Sequence, residues 1–267
     1  MTQQFINMQN DISAVLAAGG STTSEYERIS QRWNDYLTLE TDARSLLVDA
    51  ILGSETPERI AELHALALSE ALRTPVTQAT VINTAEIAMF PVLRNEYAKT
   101  AAANYETIRN TFNATAAKFK AAAATVNPEA SAESLISTDD KTRTAWVNIA
   151  VTAQQLNRMI PALAAAARLA GARVTTNADH LSLTTNPGTL HRRRVWEAWE
   201  TTEGRTERWG AMTKLGATIH APALDSIKPY REPAPMEIKQ KHNGQGIVQF
   251  QHDPEDDEYN RLNKAKA

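Results

Sequence analysis

The feature that most constrains this chain of 267 residues is a pair of long apolar stripes with helical spacing. Within each stripe, apolar or small residues recur at steps of three or four positions, and the stripes cover residues 93–126 and 139–170. Spacing of this kind is typical of a helix that buries one narrow face along its whole length. The sequence therefore predicts two long helices in the middle of the chain.

The two predicted helices match in length and are joined by a short connector. They contain 34 and 32 residues, and a rise of about 1.5 Å per residue makes each about 50 Å long. Asn127-Pro128 ends the first helix, and Thr138-Asp139-Asp140 caps the second. We therefore expect an antiparallel helical hairpin, preceded by a helix from Pro75 that Pro91 kinks or divides.

Shorter helices are predicted on the N-terminal side of this hairpin. Apolar residues at helical spacing indicate a helix over residues 2–18. A second helix is expected to begin at the capping box Ser24–Glu27 and to end at Gly53, and a third to open at Thr56-Pro57.

The pattern changes after Gly171. Residues 173–185 alternate weakly between apolar and polar side chains, which predicts a small β-hairpin, and two short tryptophan-rich helices are expected next. From residue 221 the chain is punctuated by proline, and alternation on both sides of Asn243-Gly244 predicts a β-hairpin over residues 236–251.

The expected fold class is therefore mainly α. It consists of a helical bundle with a long antiparallel helical hairpin, plus an extended C-terminal arm that carries a small β-hairpin. The expected domain organisation is a helical domain over 1–171, a short hairpin with Trp-rich helices over 172–220, and the arm over 221–267.

Two segments carry candidate protein-interface residues. A β-hairpin can add strands to the edge of a partner's sheet, and arginine and tryptophan are the side chains that most often anchor protein contacts. The Arg- and Trp-rich segment has three interpretations, namely an internal packing cluster, a protein interface and a nucleic-acid site. The candidates are Arg192, Arg193, Arg194, Trp196, Trp199 and Trp209 in that segment, and Ile238, Ile247 and Phe250 in the β-hairpin.

The net charge of −3 hides an uneven distribution. Residues 1–89 contain five arginines and twelve carboxylates, whereas residues 90–173 contain ten basic and six acidic side chains, so their charges are −7 and +4. The near-neutral total argues against an obligate nucleic-acid binder with a wholly basic surface. The asymmetry allows docking by opposite charge, or it reflects ordinary variation among helix surfaces.

Several chemistries find no support in the residues. The chain contains no cysteine, which excludes disulfides, zinc–thiolate sites and a cysteine nucleophile, and none of its six histidines forms a helical metal-ligand pair. The acidic run near His252 offers cation ligands, but it is expected to be a solvated tail. No phosphate-binding loop or nucleophile elbow occurs. We therefore expect no enzymatic activity, no cofactor and no metal.

Membrane association is not expected either. No apolar stretch reaches the roughly 18 residues that a spanning helix needs, and the first basic side chain is Arg28, so a basic leader segment is not evident. A protein that stays in the cytoplasm is the expectation.

The chain is similar to structural and assembly proteins of tailed bacteriophages from high-GC hosts. The similarity is compositional and lies in the absent cysteine, the enrichment in alanine and threonine, the long helical hairpin and the proline-punctuated arm. It implies a multi-copy virion or capsid-assembly component that binds other copies of itself or capsid proteins, in the host cytoplasm or in the virion. The alternative is a nucleic-acid-binding or packaging accessory protein that uses the basic hairpin and Arg192–Arg194.

Overall fold

The computed structural model describes residues 2–38, 42–72, 74–242 and 247–264. These residues form ten α-helices and two small antiparallel two-stranded sheets, so the predicted mainly α fold class is confirmed. The helices are α1 Gln3–Ala17, α2 Ser24–Leu37, α3 Ala43–Leu52, α4 Pro57–Ala71, α5 Pro75–Thr125, α6 Asp140–Leu169, α7 Asn177–Thr184, α8 Arg192–Glu200, α9 Glu207–Leu215 and α10 Pro254–Lys264. The strands are β1 Thr185–Asn186, β2 Thr218–Ile219, β3 Glu237–His242 and β4 Ile247–His252.

The chain divides into two compact units. The first comprises Met1–Asn10 with Thr22–Thr100, and the second comprises Asp11–Ser21 with Ala101–Ala267. Neither of the boundaries expected from the sequence, at 171 and at 220, separates these units. The reason is that α1 and α5 each contribute residues to both units, which a division drawn between predicted elements does not anticipate.

The first unit is organised around aromatic side chains. The ring of Phe5 makes edge contacts with Trp33 and Phe90, at centroid distances of 6.1 and 6.0 Å. The N-cap of α2 is Thr23, whose side chain accepts from the Tyr26 amide, so the cap lies one residue before the predicted Ser24.

The helix expected to run from Ser24 to Gly53 is two helices, α2 and α3. Asp42 begins α3 by accepting a hydrogen bond from the Ser45 amide, and an N-cap in mid-segment starts a new helix. The predicted start of α4 at Thr56-Pro57 is confirmed, because the Thr56 side chain accepts from the Arg59 amide.

The second unit is built on the predicted helical hairpin. The residues of α5 after Thr100 and those of α6 share one buried cluster, to which α5 contributes Tyr105, Ile108, Phe112, Ala116 and Phe119, and α6 contributes Ile149, Ala153, Leu156, Ile160 and Leu163. These positions follow the predicted stripes, so the long antiparallel hairpin is confirmed. Pro91 lies inside α5, which continues from Pro75 to Thr125, so of the two expectations for Pro91, a kink or a division of the helix, the division is wrong.

The small β-hairpin expected within 172–220 is also wrong. Residues 177–184 form α7, because Thr176 and Asp179 make a capping box in which each side chain accepts from the other's backbone amide. Ala178, Leu181 and Leu183 are buried. These buried positions are compatible with a short helix, although their weak alternation in the sequence predicts a strand. The short strand β1 follows α7 and pairs with the distant β2, with Thr185 opposite Ile219.

The β-hairpin of the C-terminal arm has the predicted place in the chain. Strands β3 and β4 pair antiparallel with Gln240 opposite Gln249, and we call these two strands the ribbon. The predicted turn at Asn243-Gly244, and the glycines at 244 and 246, lie outside the described residues.

A candidate docking site on the C-terminal arm

The start of the arm is fixed to α5 by hydrogen bonds. The buried Ala221 amide donates to Asn113 Oδ1 at 2.7 Å, and Asn113 Nδ2 donates back to the Ala221 carbonyl at 3.1 Å. The Ala221 carbonyl also accepts from Arg109 Nε at 3.1 Å, and the Tyr105 hydroxyl donates to the Pro222 carbonyl at 2.8 Å. Burial raises the pKa of Tyr105 to about 12, so its hydroxyl remains a donor at all ordinary pH values.

The middle of the arm packs on α8 through Tyr230. The Tyr230 ring stacks on Trp196 with a centroid distance of 6.0 Å and an interplanar angle of 13°. Its hydroxyl donates to the Arg192 carbonyl at 2.9 Å, and burial raises its pKa well above the usual range for tyrosine. The arm thus finds its apolar contacts on the same chain, which is why so proline-rich a segment is ordered here.

Ion pairs hold the end of the arm against the first turn of α8. We call them the ion-pair cluster, which consists of three arginines and three carboxylates: Arg192, Arg193 and Arg231 with Asp253, Glu255 and Glu258. The carboxylates lie at the N-terminus of α10, where the helix dipole also favours negative charge. The three positive arginines and the three negative carboxylates of the cluster balance each other.

The geometry of the ion-pair cluster is bidentate at two of the arginines. Arg193 donates from Nε to Asp253 Oδ2 at 2.6 Å and from Nη2 to Oδ1 at 3.0 Å. Arg192 donates to the two oxygens of Glu258 at 3.0 and 2.9 Å, and it also pairs with the buried Glu255. Forked pairs of this kind fix orientation as well as distance.

The backbone of the arm takes part in the same arrangement. The Ala234 amide donates to Glu255 Oε1 at 2.9 Å, and its carbonyl accepts from Arg193. Asp253 accepts from the Glu255 amide at 3.0 Å and so begins α10. The residues on both sides of the ribbon, Ala234 before it and Asp253 after it, are therefore held at one place.

The ionisation of the cluster follows from these contacts. The hydrogen bond from Arg193 holds the pKa of Asp253 below its ordinary value, and Asp253 in turn raises the pKa of Arg193. Burial acts to lower the pKa of Arg192, but hydrogen bonds to Glu255 and Glu258 outweigh burial and raise it. These shifts favour the charged forms of Asp253, Arg192 and Arg193.

One histidine borders the ion-pair cluster. His191 is 5% exposed, and its Nε2 lies 3.0 Å from Asp256 and 4.0 Å from Asp253. These three side chains bring potential metal ligands within 4.8 Å of one another. However, both oxygens of Asp253 already accept from Arg193, so ion pairing accounts for the arrangement without a cation.

The ribbon carries exposed apolar side chains on both faces. Residues opposite each other in the ladder share a face, so the register places Ile238 and Ile247 on one face and Val248 and Phe250 on the other. Ile238 and Ile247 are 71% and 68% exposed, and Phe250 is 43% exposed. In a two-stranded ribbon the outer edge of each strand also has backbone groups available for pairing.

The nine candidate interface residues fall into four environments. Trp199 and Trp209 are fully buried and donate to Asn177 and Asn157, which is the internal-packing interpretation. Arg192, Arg193 and Trp196 hold the arm, and Arg194 is exposed on α8. The ribbon residues Ile238, Ile247 and Phe250 are exposed to solvent.

The carboxylate partners of the arginines were not anticipated from the sequence. The acidic run appeared as a solvated tail, whereas Asp253 and Glu255 are 9% and 3% exposed. A usable signal was present, because Asp253-Pro254 followed by four acidic residues is the pattern of a helix N-terminus.

No protein-family model, no curated protein and no solved structure matches this chain. Within the part of the chain that the structure describes, none of the helices is both long enough and apolar enough to cross a membrane. The proposed function therefore rests on the geometry of the arm.

Proposed function

We propose that this protein is a non-enzymatic structural and assembly protein whose ribbon docks on another protein subunit. The observation that carries the proposal is the combination of an exposed apolar ribbon with a base held by the ion-pair cluster. A pair of strands this short is only marginally stable alone. A partner that adds a strand to this anchored ribbon would stabilise it.

The chemistry of docking would be strand addition. A sheet edge on the partner would supply backbone hydrogen bonds to β3 or β4, and shallow apolar pockets would receive Ile238, Ile247 or Phe250. Backbone pairing needs little sequence information, so the exposed side chains supply the specificity.

The broader assignment as a bacteriophage virion or capsid-assembly component rests on composition and architecture. Absent cysteine, alanine and threonine enrichment, the helical hairpin and the anchored arm support it. The partners are then copies of this chain or other capsid or virion proteins, in the host cytoplasm or in the virion. A nucleic-acid role is less well supported, because Arg192 and Arg193 are already neutralised by carboxylates.

The test compares the native complexes of the wild-type chain and a ribbon variant. The chain is purified through a tag from the cells that produce it, and the mass and composition of its complex are measured. Ile238→Lys with Phe250→Lys places a charge on each face of the ribbon and is expected to remove the partner subunit while the helical circular dichroism is retained. Leu16→Lys with Val92→Lys is the matched control, since these residues are 41% and 47% exposed but lie outside the ribbon.

The outcome distinguishes the alternatives directly. The proposal expects wild type and control to carry a stoichiometric protein partner that the ribbon variant has lost. A ribbon variant that keeps its partner, or a wild-type chain of 29.4 kDa that carries none, contradicts the proposal. Retention on DNA that falls steeply with salt would instead favour the packaging role.

A further inference from the structure

Helices α3 and α4 expose far more apolar surface than they bury. The residues buried along them are Ala43, Ala50, Leu63 and Ala67, only one of which is large. Seven large aliphatic side chains are exposed, with Leu52 and Leu72 reaching 81% and 77%: Leu46, Val48, Ile51, Leu52, Leu66, Leu68 and Leu72. Exposed apolar surface on this scale marks an interaction site.

This surface is also acidic. Residues 42–72 contain six carboxylates and two arginines, a net charge of −4. One arginine, Arg59, pairs with Glu62 within α4 at 2.9 Å. Two such surfaces facing each other across a symmetry axis would place like charges together, which is unfavourable. The sign of the surface therefore calls for a basic partner.

The same chain carries a surface of the opposite sign on the outer side of α6. Val147 and Val151 are 54% and 50% exposed there, although most of the apolar residues of α6 face the core. Arg143 precedes these valines by one helical turn and Arg158 follows them by two, so all four side chains share a face. Asp140 lies on the same face and pairs with Arg143, so the two arginines and this carboxylate give the face a net charge of +1. The helix as a whole has four basic residues and one acidic residue, a net charge of +3.

We propose that the α3–α4 pair of one copy docks on the outer face of α6 in a second copy. The contact joins apolar side chains to apolar side chains and an acidic rim to a basic one. It is heterologous, because two different surfaces meet, and such contacts build closed rings or open filaments. It is independent of the ribbon, so it adds self-association to the docking proposed above.

The test is the self-association of the purified full-length chain, measured by sedimentation velocity over micromolar concentrations. The wild-type chain is expected to form oligomers whose dissociation constant rises when salt is increased from about 0.05 M to about 0.5 M, because the rim charges are screened. Arg143→Glu with Arg158→Glu reverses the charge of this face and is expected to weaken association by about tenfold or more. Glutamate at 143 lies near the N-terminus of α6, where negative charge favours the helix.

A charge-matched control and a rescue make the result specific. Arg194→Glu with Lys228→Glu changes the net charge of the chain by the same amount, at exposed positions outside both surfaces. It is expected to leave association unchanged. Asp49→Lys with Glu55→Lys and Glu62→Lys changes the charge of residues 42–72 from −4 to +2 and is expected by itself to abolish association. Mixing this variant with Arg143→Glu/Arg158→Glu is expected to restore association, because each reversed surface then meets a reversed partner.

Three outcomes would overturn the inference. These are a wild-type chain that stays monomeric, a mixture of the two reversed variants that stays dissociated, and α6 variants that associate as strongly as wild type. Binding of the wild-type chain to phosphatidylcholine vesicles, with no self-association, would assign the apolar surface to a membrane and would likewise overturn it. The ribbon variant is expected to self-associate normally, so failure of the docking proposal is distinguishable from failure of this one.

Discussion

At the scale of single residues, the same side-chain types serve different purposes in this chain. Trp209 is buried between Phe112 and Trp199, at ring distances of 6.0 and 5.9 Å, and its indole nitrogen donates to Asn157 at 2.8 Å. Trp196 instead lies half-buried on Tyr230. Residue type alone cannot separate these cases, since tryptophan is common both in cores and at interfaces.

The ion pair between Arg193 and Asp253 gives a pH prediction. Because the folded pKa of Asp253 is lowered, its contribution to stability is present above the unfolded pKa, about 4, and is lost as pH falls through the folded pKa. Asp253→Asn leaves Arg193 without its charged partner and is expected to lower the free energy of unfolding by about 1–3 kcal/mol at neutral pH.

Urea unfolding of the wild-type chain and Asp253→Asn, measured between neutral pH and about pH 3, checks this prediction. The difference between the two proteins is expected to shrink as pH falls, because a protonated aspartate resembles asparagine. A difference that stays constant over this range would show that Asp253 does not act through its charge.

At the scale of elements, local sequence signals were reliable where they were complete. The long stripes specified both helices of the hairpin, because Leu93, Tyr105, Phe112 and Phe119 repeat one face for several turns and all are buried. The segment before β1 offered only a few alternating residues, which suit a strand or a short helix equally. There the capping box of Thr176 and Asp179 decides the outcome.

The capping box of α7 gives an element-scale prediction. The Thr176 hydroxyl accepts from the Asp179 amide at 3.1 Å, and Thr176→Ala removes this bond. The free energy of unfolding is expected to fall by about 1 kcal/mol, the usual cost of losing an N-cap side chain.

Chemical denaturation of the two alanine variants at adjacent threonines checks the assignment. Thr175→Ala is the control, because the bond from the Thr175 backbone amide to Asp179 at 2.8 Å survives and only a long hydroxyl bond of 3.5 Å is lost. Equal losses for Thr175→Ala and Thr176→Ala would contradict the role of the cap.

At the scale of the whole molecule, the sequence predicted the elements better than their long-range contacts. The bonds that hold the arm join Ala221 to Asn113 and Arg193 to Asp253, over separations of 108 and 60 residues. No local sequence pattern predicts such pairs, because each partner taken alone is a common residue for a loop or a helix surface. For the same reason the ribbon was predicted as a candidate site, whereas the ion-pair cluster that anchors it was not.

The measurement that tests the central claim most directly is amide hydrogen exchange of the isolated chain and of its native complex. In the isolated chain, the outward-facing amides of ribbon residues 237–241 and 247–252 are expected to exchange rapidly, because no third strand among the described residues pairs with the ribbon. In the complex they are expected to exchange slowly, while the hydrogen-bonded amides of Ala221 and Ala234 are protected in both states. Ribbon amides that exchange equally fast in both states would contradict docking by strand addition.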